Sequence, residues 1–89
     1  MTVYVDQHNY PYKRMKLCHL WSEDQDELKR MAEELELKKS WKHNNHYDIC
    51  LHKKKIALSL GAVEVTNKQM GKLLLEYRRK NKKSIPDKE

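Results

Sequence analysis

The sequence predicts an α+β domain: a small mixed sheet of three to four short strands with about three helices packed on it, in the order β-β-α-β-α-β-α. Three observations carry that prediction. At 89 residues the chain has room for one hydrophobic core and no more. Glycine and proline are scarce, two of each, while charged residues reach 36%, which suits helices on a sheet better than a turn-rich sandwich. The apolar pattern also switches between period two and period 3.6 along the chain.

The run TVYV at residues 2–5 is β-branched and aromatic and reads as the first strand, ending at Asp6. QHNYPYKR then reads as a loop with Pro11 as its breaker. MKLCHLW, residues 15–21, alternates in part and reads as the second strand. Ser22 with Gln25 and Asp24 with Glu27 both fit the spacing of a capping box, so the first helix is set at residues 24–37. Leu28, Met31, Ala32 and Leu35 fall on one stripe of it. Asn44 and Asn45 mark a turn or irregular segment, and a third strand follows at residues 47–51. A short helix at residues 53–60 stops at Gly61, a natural residue for a helix end. AVEV is a brief fourth strand. Thr66 with Gln69 makes another capping box, and Met70, Leu73, Leu74 and Tyr77 give the last helix, about residues 67–79, its apolar face. The core is expected to hold Leu28, Met31, Leu35, Ile56, Leu60, Leu73 and Leu74. The final RRKNKKSIPDKE has no apolar period. The single domain is therefore set at residues 1–78 and a basic C-terminal tail at residues 79–89.

The net charge is +6 and the pI about 9.3, which favours an anionic partner: a nucleotide, a nucleic acid or an acidic protein face. Much of that excess lies in the last dozen residues, where it also serves solubility. Cys18 and Cys50 sit in apolar runs without CxxC spacing and read as buried thiols of a reducing cytosol. The opening segment is too polar for a signal peptide, and no stretch approaches the roughly 20 apolar residues of a membrane helix. A cytoplasmic protein with no membrane role is expected. Its small core makes a bound ligand or self-association as a homo-oligomer a route to added stability.

Four motifs in order, MTVYVD, MKLCHLWSEDQDEL, SWKHNNHYDICLHKKKIAL and LGAVEVT, resemble those of the domain of unknown function 4031 family of small bacterial and phage proteins. The resemblance covers roughly residues 1–75. It implies that Asp6, Tyr12, Arg14, Cys18, His19, Trp41, His46, Tyr47, Asp48, Lys53, Gly61 and Ala62 matter to the family, and it implies no activity. Where the family pattern carries a serine before a Lys-Arg pair, this chain has His52, Lys53 and Lys54. The basic character is kept, but lysine is a point charge without the bidentate fork of arginine.

Asp6 closes the first strand, His19 lies near the end of the second, and His46 and Asp48 share one face of the third. Two imidazoles and two carboxylates are chemically adequate for a divalent metal and for acid–base catalysis near neutral pH. His19, His46 and Asp48 are the candidate catalytic residues. No HExxH or CxxC spacing accompanies them, and the plainer reading is that each polar side chain caps a loop or pairs across strands. Lys53, Lys54 and Lys55 open a helix, the end where cations oppose the macrodipole. A phosphate bound there would offset the cost, and a solvated charge run is the alternative. Tyr10, Tyr12, Trp41 and Tyr47 lie beside basic residues, an arrangement that suits base stacking, although Trp41 equally suits closing the core under the first helix. The ligand-binding candidates are Asp6, Tyr12, Arg14, Trp41, Tyr47, Lys53 and Lys54, with Arg14 resting on the resemblance alone.

Three functions fit these residues. The first is a binding module for a phosphate-bearing ligand, either a nucleotide, a nucleotide-derived signal or nucleic acid. The second is a small phosphodiesterase or nuclease built on the histidines and aspartates. The third is a protein-interaction module, such as a phage inhibitor of a host factor. Binding alone needs only lysines and aromatics, so histidines and carboxylates gathered in space would favour the enzyme.

Overall fold

The structure is a computed structural model and describes residues 2–82. Its elements are β1 (Val3–Val5), β2 (Tyr10–Tyr12), β3 (Met15–Ser22), α1 (Gln25–Glu34), a 3-10 turn (Lys39–Trp41), β4 (Lys42–His43), β5 (His46–Cys50), α2 (Leu51–Ser59), β6 (Val63–Glu64) and α3 (Asn67–Lys82). The predicted α+β class holds, with three helices and a mixed sheet, but the sheet has six strands rather than three to four. The two unforeseen strands are β2 and β4. Each is the short arm of a hairpin that exists only because β3 or β5 supplies its partner, and two or three residues carry no readable period. Pro11 is tolerated in β2 because an edge arm needs few ladder donors. Lys13 (φ 56°) and Asn44 (φ 58°) turn the two hairpins.

The strand order is β4-β5-β3-β1-β6, with β2 also on β3. β3 runs antiparallel to both β1 and β5, and β6 lies parallel to β1. The alternation of side chains then sorts the sheet into two faces. Val3, Val5, Cys18, Leu20, Tyr47 and Ile49 meet Leu28, Met31, Ala32 and Leu35 of the first helical segment and Ala57 of α2 in one core. Each large apolar side chain buried there contributes about 1.5–3 kcal/mol. Cys18 is part of this core, and burial pushes its thiol up to about 12; neither cysteine is in a disulfide. Leu60, expected in the core, is exposed, because α2 ends at Ser59 and leaves Leu60 in the cap position. Leu73 and Leu74 are only half-buried. The last helix lies on the other face, where Tyr77 packs edge-on against Trp21 at 5.5 Å and Trp21 stacks on Tyr4 at 6.0 Å.

Helix ends follow local chemistry. Asp24 caps α1 through Asp26 N and Glu27 N, while Ser22 Oγ accepts from Asp24 N. Thr66 and Gln69 form the expected reciprocal box before α3. Gly61 (φ 108°) ends α2 through Ala62 N to Ala57 O and Gly61 N to Leu58 O. The first helix ends the same way, by Leu37 N to Ala32 O and Glu36 N to Glu33 O, but with Glu36 at φ 57°. It therefore stops at Glu34 instead of reaching residue 37. The last helix runs to Lys82, into the expected tail, and residues 83–89 of that tail lie outside the described residues. Among the described residues no helix is long and apolar enough to cross a membrane.

A side chain in the left-handed region is strained where glycine is not. Glu36→Gly should therefore raise unfolding stability by about 0.5–1 kcal/mol. Urea titration would register this as a higher midpoint at unchanged slope.

Candidate functional site

The site begins with a gap in the ladder. Along one edge of β3, pairing to β1 ends at Val5↔Leu20 and pairing to β2 starts at Tyr10↔Leu17. The β3 backbone between them must find other partners, because an unpaired amide next to the core is costly. Asp6 supplies them. Its backbone N–H donates to His19 O at 3.2 Å, and its Oδ1 accepts from His19 N at 3.0 Å and His8 N at 3.2 Å. Its Oδ2 takes His19 Nδ1 at 2.7 Å and His8 Nδ1 at 3.2 Å. Asp6 is thus fully buried with both oxygens in use.

On the far side of β3, His19 stands directly across from Asp48 of β5. Asp6, His19 and Asp48 therefore form one row across three adjacent strands. His19 Nε2 and His46 Nε2 each lie 3.7 Å from the same oxygen, Asp48 Oδ1, and His43 Nε2 lies 3.1 Å from Oδ2. His43 arrives there because β4 pairs it with His46. The rings of His8 and His46 flank His19 edge-on at 4.9 and 5.0 Å. Asp48 Oδ1 is buried and accepts no hydrogen bond. One donor atom from each of His19, His46 and Asp48 lies within 4.8 Å of the other two, near enough for the three to hold a metal ion together.

Electrostatics fixes the tautomers. Burial pushes the Asp6 carboxyl up, but the hydrogen bonds and charge of His19 and the amide of His8 outweigh it and hold the group at about 2. An ionised carboxylate only accepts, so His19 Nδ1 carries a proton and Nε2 faces Asp48. The hydrogen bond to Asp6 raises the His19 pKa against the opposing effect of burial. Burial and the neighbouring charge of His19 lower that of His46. Burial, and then the hydrogen bond to Asp48, push the Tyr10 phenol up to about 12.

Two clefts open beside Asp48. One of about 350 Å³ is walled by Tyr10, Tyr12, Trp41 and His43, and the other, of about 240 Å³, by Trp41, Lys38, Lys53 and Glu36. Tyr12 meets Trp41 edge-on at 5.7 Å, and Trp41 also packs against the core. His19, His46, Asp48 and Asp6 are together as their strand positions suggested, with Lys53, Tyr12 and Trp41 alongside. Three ligand-binding candidates fall elsewhere. Tyr47 points into the core because it alternates with His46 and Asp48. Lys54 Nζ pairs with Glu64 at 3.1 Å, and Arg14 sits exposed in the β2–β3 turn. His8, His43 and Asn45 were not in the candidate set, and Tyr10 was named only among the aromatics suited to base stacking. Only the HNNH spacing, read as a two-residue hairpin loop, could have pointed to His43.

Folded Asp6 titrates below its ordinary 3.8, so its contribution is present above that pH and lost as pH falls through about 2. Folded His19 titrates above its ordinary 6.5, so its contribution is present below 6.5 and lost as pH rises through the folded value. Urea unfolding with chelator present should thus show greatest stability from this pair between about pH 4 and 6.5. The acid limb should amount to about 2 kcal/mol, and Asp6→Asn should abolish it.

No curated protein and no solved structure matches the chain. The sequence pattern of one family matches residues 3–77, and the chain belongs to that family, described as protein of unknown function (DUF4031).

Proposed function

We propose that this member of the family hydrolyses a phosphodiester, carried by a nucleotide or nucleic acid, in the clefts beside Asp48, the carboxylate on which His19 and His46 converge. The observation that carries the reading is the convergence of two imidazole Nε2 atoms on a buried carboxylate oxygen that no hydrogen bond satisfies. A pocket meant only to hold phosphate would not bury a carboxylate at its centre, because like charges repel most where water is scarce. A water held at that point is the nucleophile. As it attacks phosphorus, the new P–O bond forms, the ester P–O bond breaks, and the water proton moves to the leaving oxygen. His43, exposed and 3.1 Å from Asp48, is near enough to carry that proton. Tyr12 and Trp41 offer faces for a base, and Lys53 and Lys38 offer positive charge on the neighbouring cleft wall.

The second reading, a binding module for a phosphate-bearing ligand, is favoured by Lys53 and those aromatics. Its lysine pair is reduced to one, because Lys54 is engaged by Glu64.

Hydrolysis of bis(p-nitrophenyl) phosphate, single-stranded DNA and cyclic dinucleotides at low salt, with and without divalent cations, tests the proposal. Asp48→Asn and His46→Ala should each lower kcat by about a hundredfold or more. Trp41→Ala should raise KM about tenfold for nucleotide substrates with little change in kcat. Binding of these substrates without turnover would leave the binding module in its place. Absence of both would sink the two readings together.

A further inference from the structure

We infer that His19, His46 and Asp48 form a mononuclear site for a divalent first-row transition metal such as zinc. The inference deepens the hydrolytic reading and rests on it for its catalytic consequence, but metal binding can be measured by itself.

Four observations carry it. First, Asp48 Oδ1 is 3.7 Å from each Nε2, and one donor atom from each residue lies within 4.8 Å of the other two. Donors about 2.0–2.1 Å from a tetrahedral ion are roughly 3.3 Å apart, so closing on a metal needs shifts of a few tenths of an ångström for the oxygen and somewhat more between the rings. Second, each ligand is oriented from behind. His19 Nδ1 is held by Asp6 at 2.7 Å, His46 Nδ1 by Asn45 Oδ1 at 3.3 Å, and Asp48 Oδ2 by His43 at 3.1 Å. With both Nδ1 atoms committed as donors, both Nε2 lone pairs face the oxygen, as in metal sites whose histidines are fixed by outer partners. Third, two imidazole lone pairs facing a carboxylate repel it unless a cation or protons lie between them. The buried, unsatisfied Oδ1 marks the position of that charge. Fourth, all three ligands come from two adjacent strands in direct register, so the set is rigid.

The alternative trio of Asp6, His8 and His19 does not make a site. Its atoms are already joined by hydrogen bonds of 2.7 and 3.2 Å, and Asp6 has no oxygen to spare. Three protein ligands in the chosen site leave a coordination position for water or substrate, the arrangement of catalytic rather than structural zinc. A metal there would lower the pKa of the bound water that the hydrolytic reading uses.

The test is titration of chelator-treated protein with zinc chloride by calorimetry, with native mass spectrometry for stoichiometry. One zinc per chain is expected. His46→Ala and Asp48→Asn should each weaken it at least a hundredfold while the far-ultraviolet circular dichroism stays unchanged, and Asn45→Ala should weaken it about tenfold. His52→Ala, on the exposed side of α2, should leave it as it is. No saturable one-to-one binding would overturn the inference, as would binding that survives both ligand variants. Zinc binding without phosphodiester turnover upholds the metal site and sinks the hydrolytic reading. Turnover that persists in chelator with no metal bound does the reverse.

Discussion

The register in which β3 lies between β1 and β5 is the constraint on which everything else depends. It sets Asp6, His19 and Asp48 in one row across three strands. The same register turns Val5, Cys18, Leu20, Tyr47 and Ile49 to the opposite face, where two helices cover them. A slip of one residue along β3 would send the leucine and the cysteine to the site and the histidine into the core. Burial of the apolar face therefore enforces the alignment of the polar one. Here the site borrows its precision from the hydrophobic core.

Asp6 shows how the two roles join. The ladder along β3 is broken where one partner strand gives way to the next, and a backbone amide would be left without a partner. The Asp6 carboxylate fills that gap, accepting from two backbone and two imidazole nitrogens. A buried carboxylate costs several kcal/mol in isolation, and only such a full set of donors offsets it. The structural patch also sets the tautomer of His19. One residue thus closes the sheet and aims the imidazole.

The polar row survives on a sheet face because that face is only partly covered. The last helix packs over Tyr4 and Trp21 and ends the need for further burial there. His19 and His46 keep about a quarter of their side-chain surface exposed, and Asp48 about an eighth. That intermediate setting strengthens charge interactions without the full cost of a dry interior. It also leaves open two clefts that run from the row towards Trp41.

The sequence by itself determined much of this. Local physics is enough to set the helices, because a capping box at Thr66, an aspartate cap at Asp24 and a glycine end at Gly61 act within a few residues. Strand alternation alone placed His46 and Asp48 on one face, and the ends of successive strands suggested that Asp6 and His19 would join them. The C-terminal limit of α1 was overrun because nothing in the letters marks a glutamate as the residue that will turn left-handed. Tyr47 lies in the core, a placement its neighbours in sequence do not reveal, because an aromatic beside basic residues looks the same whether it faces solvent or the core. What only the tertiary structure decided were the partnerships between segments distant in sequence. The arms β2 and β4 and the placing of His19 between Asp6 and Asp48 follow from strand pairing, and the contact of Lys54 with Glu64 joins α2 to β6. Pairing energies are set by which strands meet and in what register, and a single strand carries only its own alternation, not the identity of its neighbour.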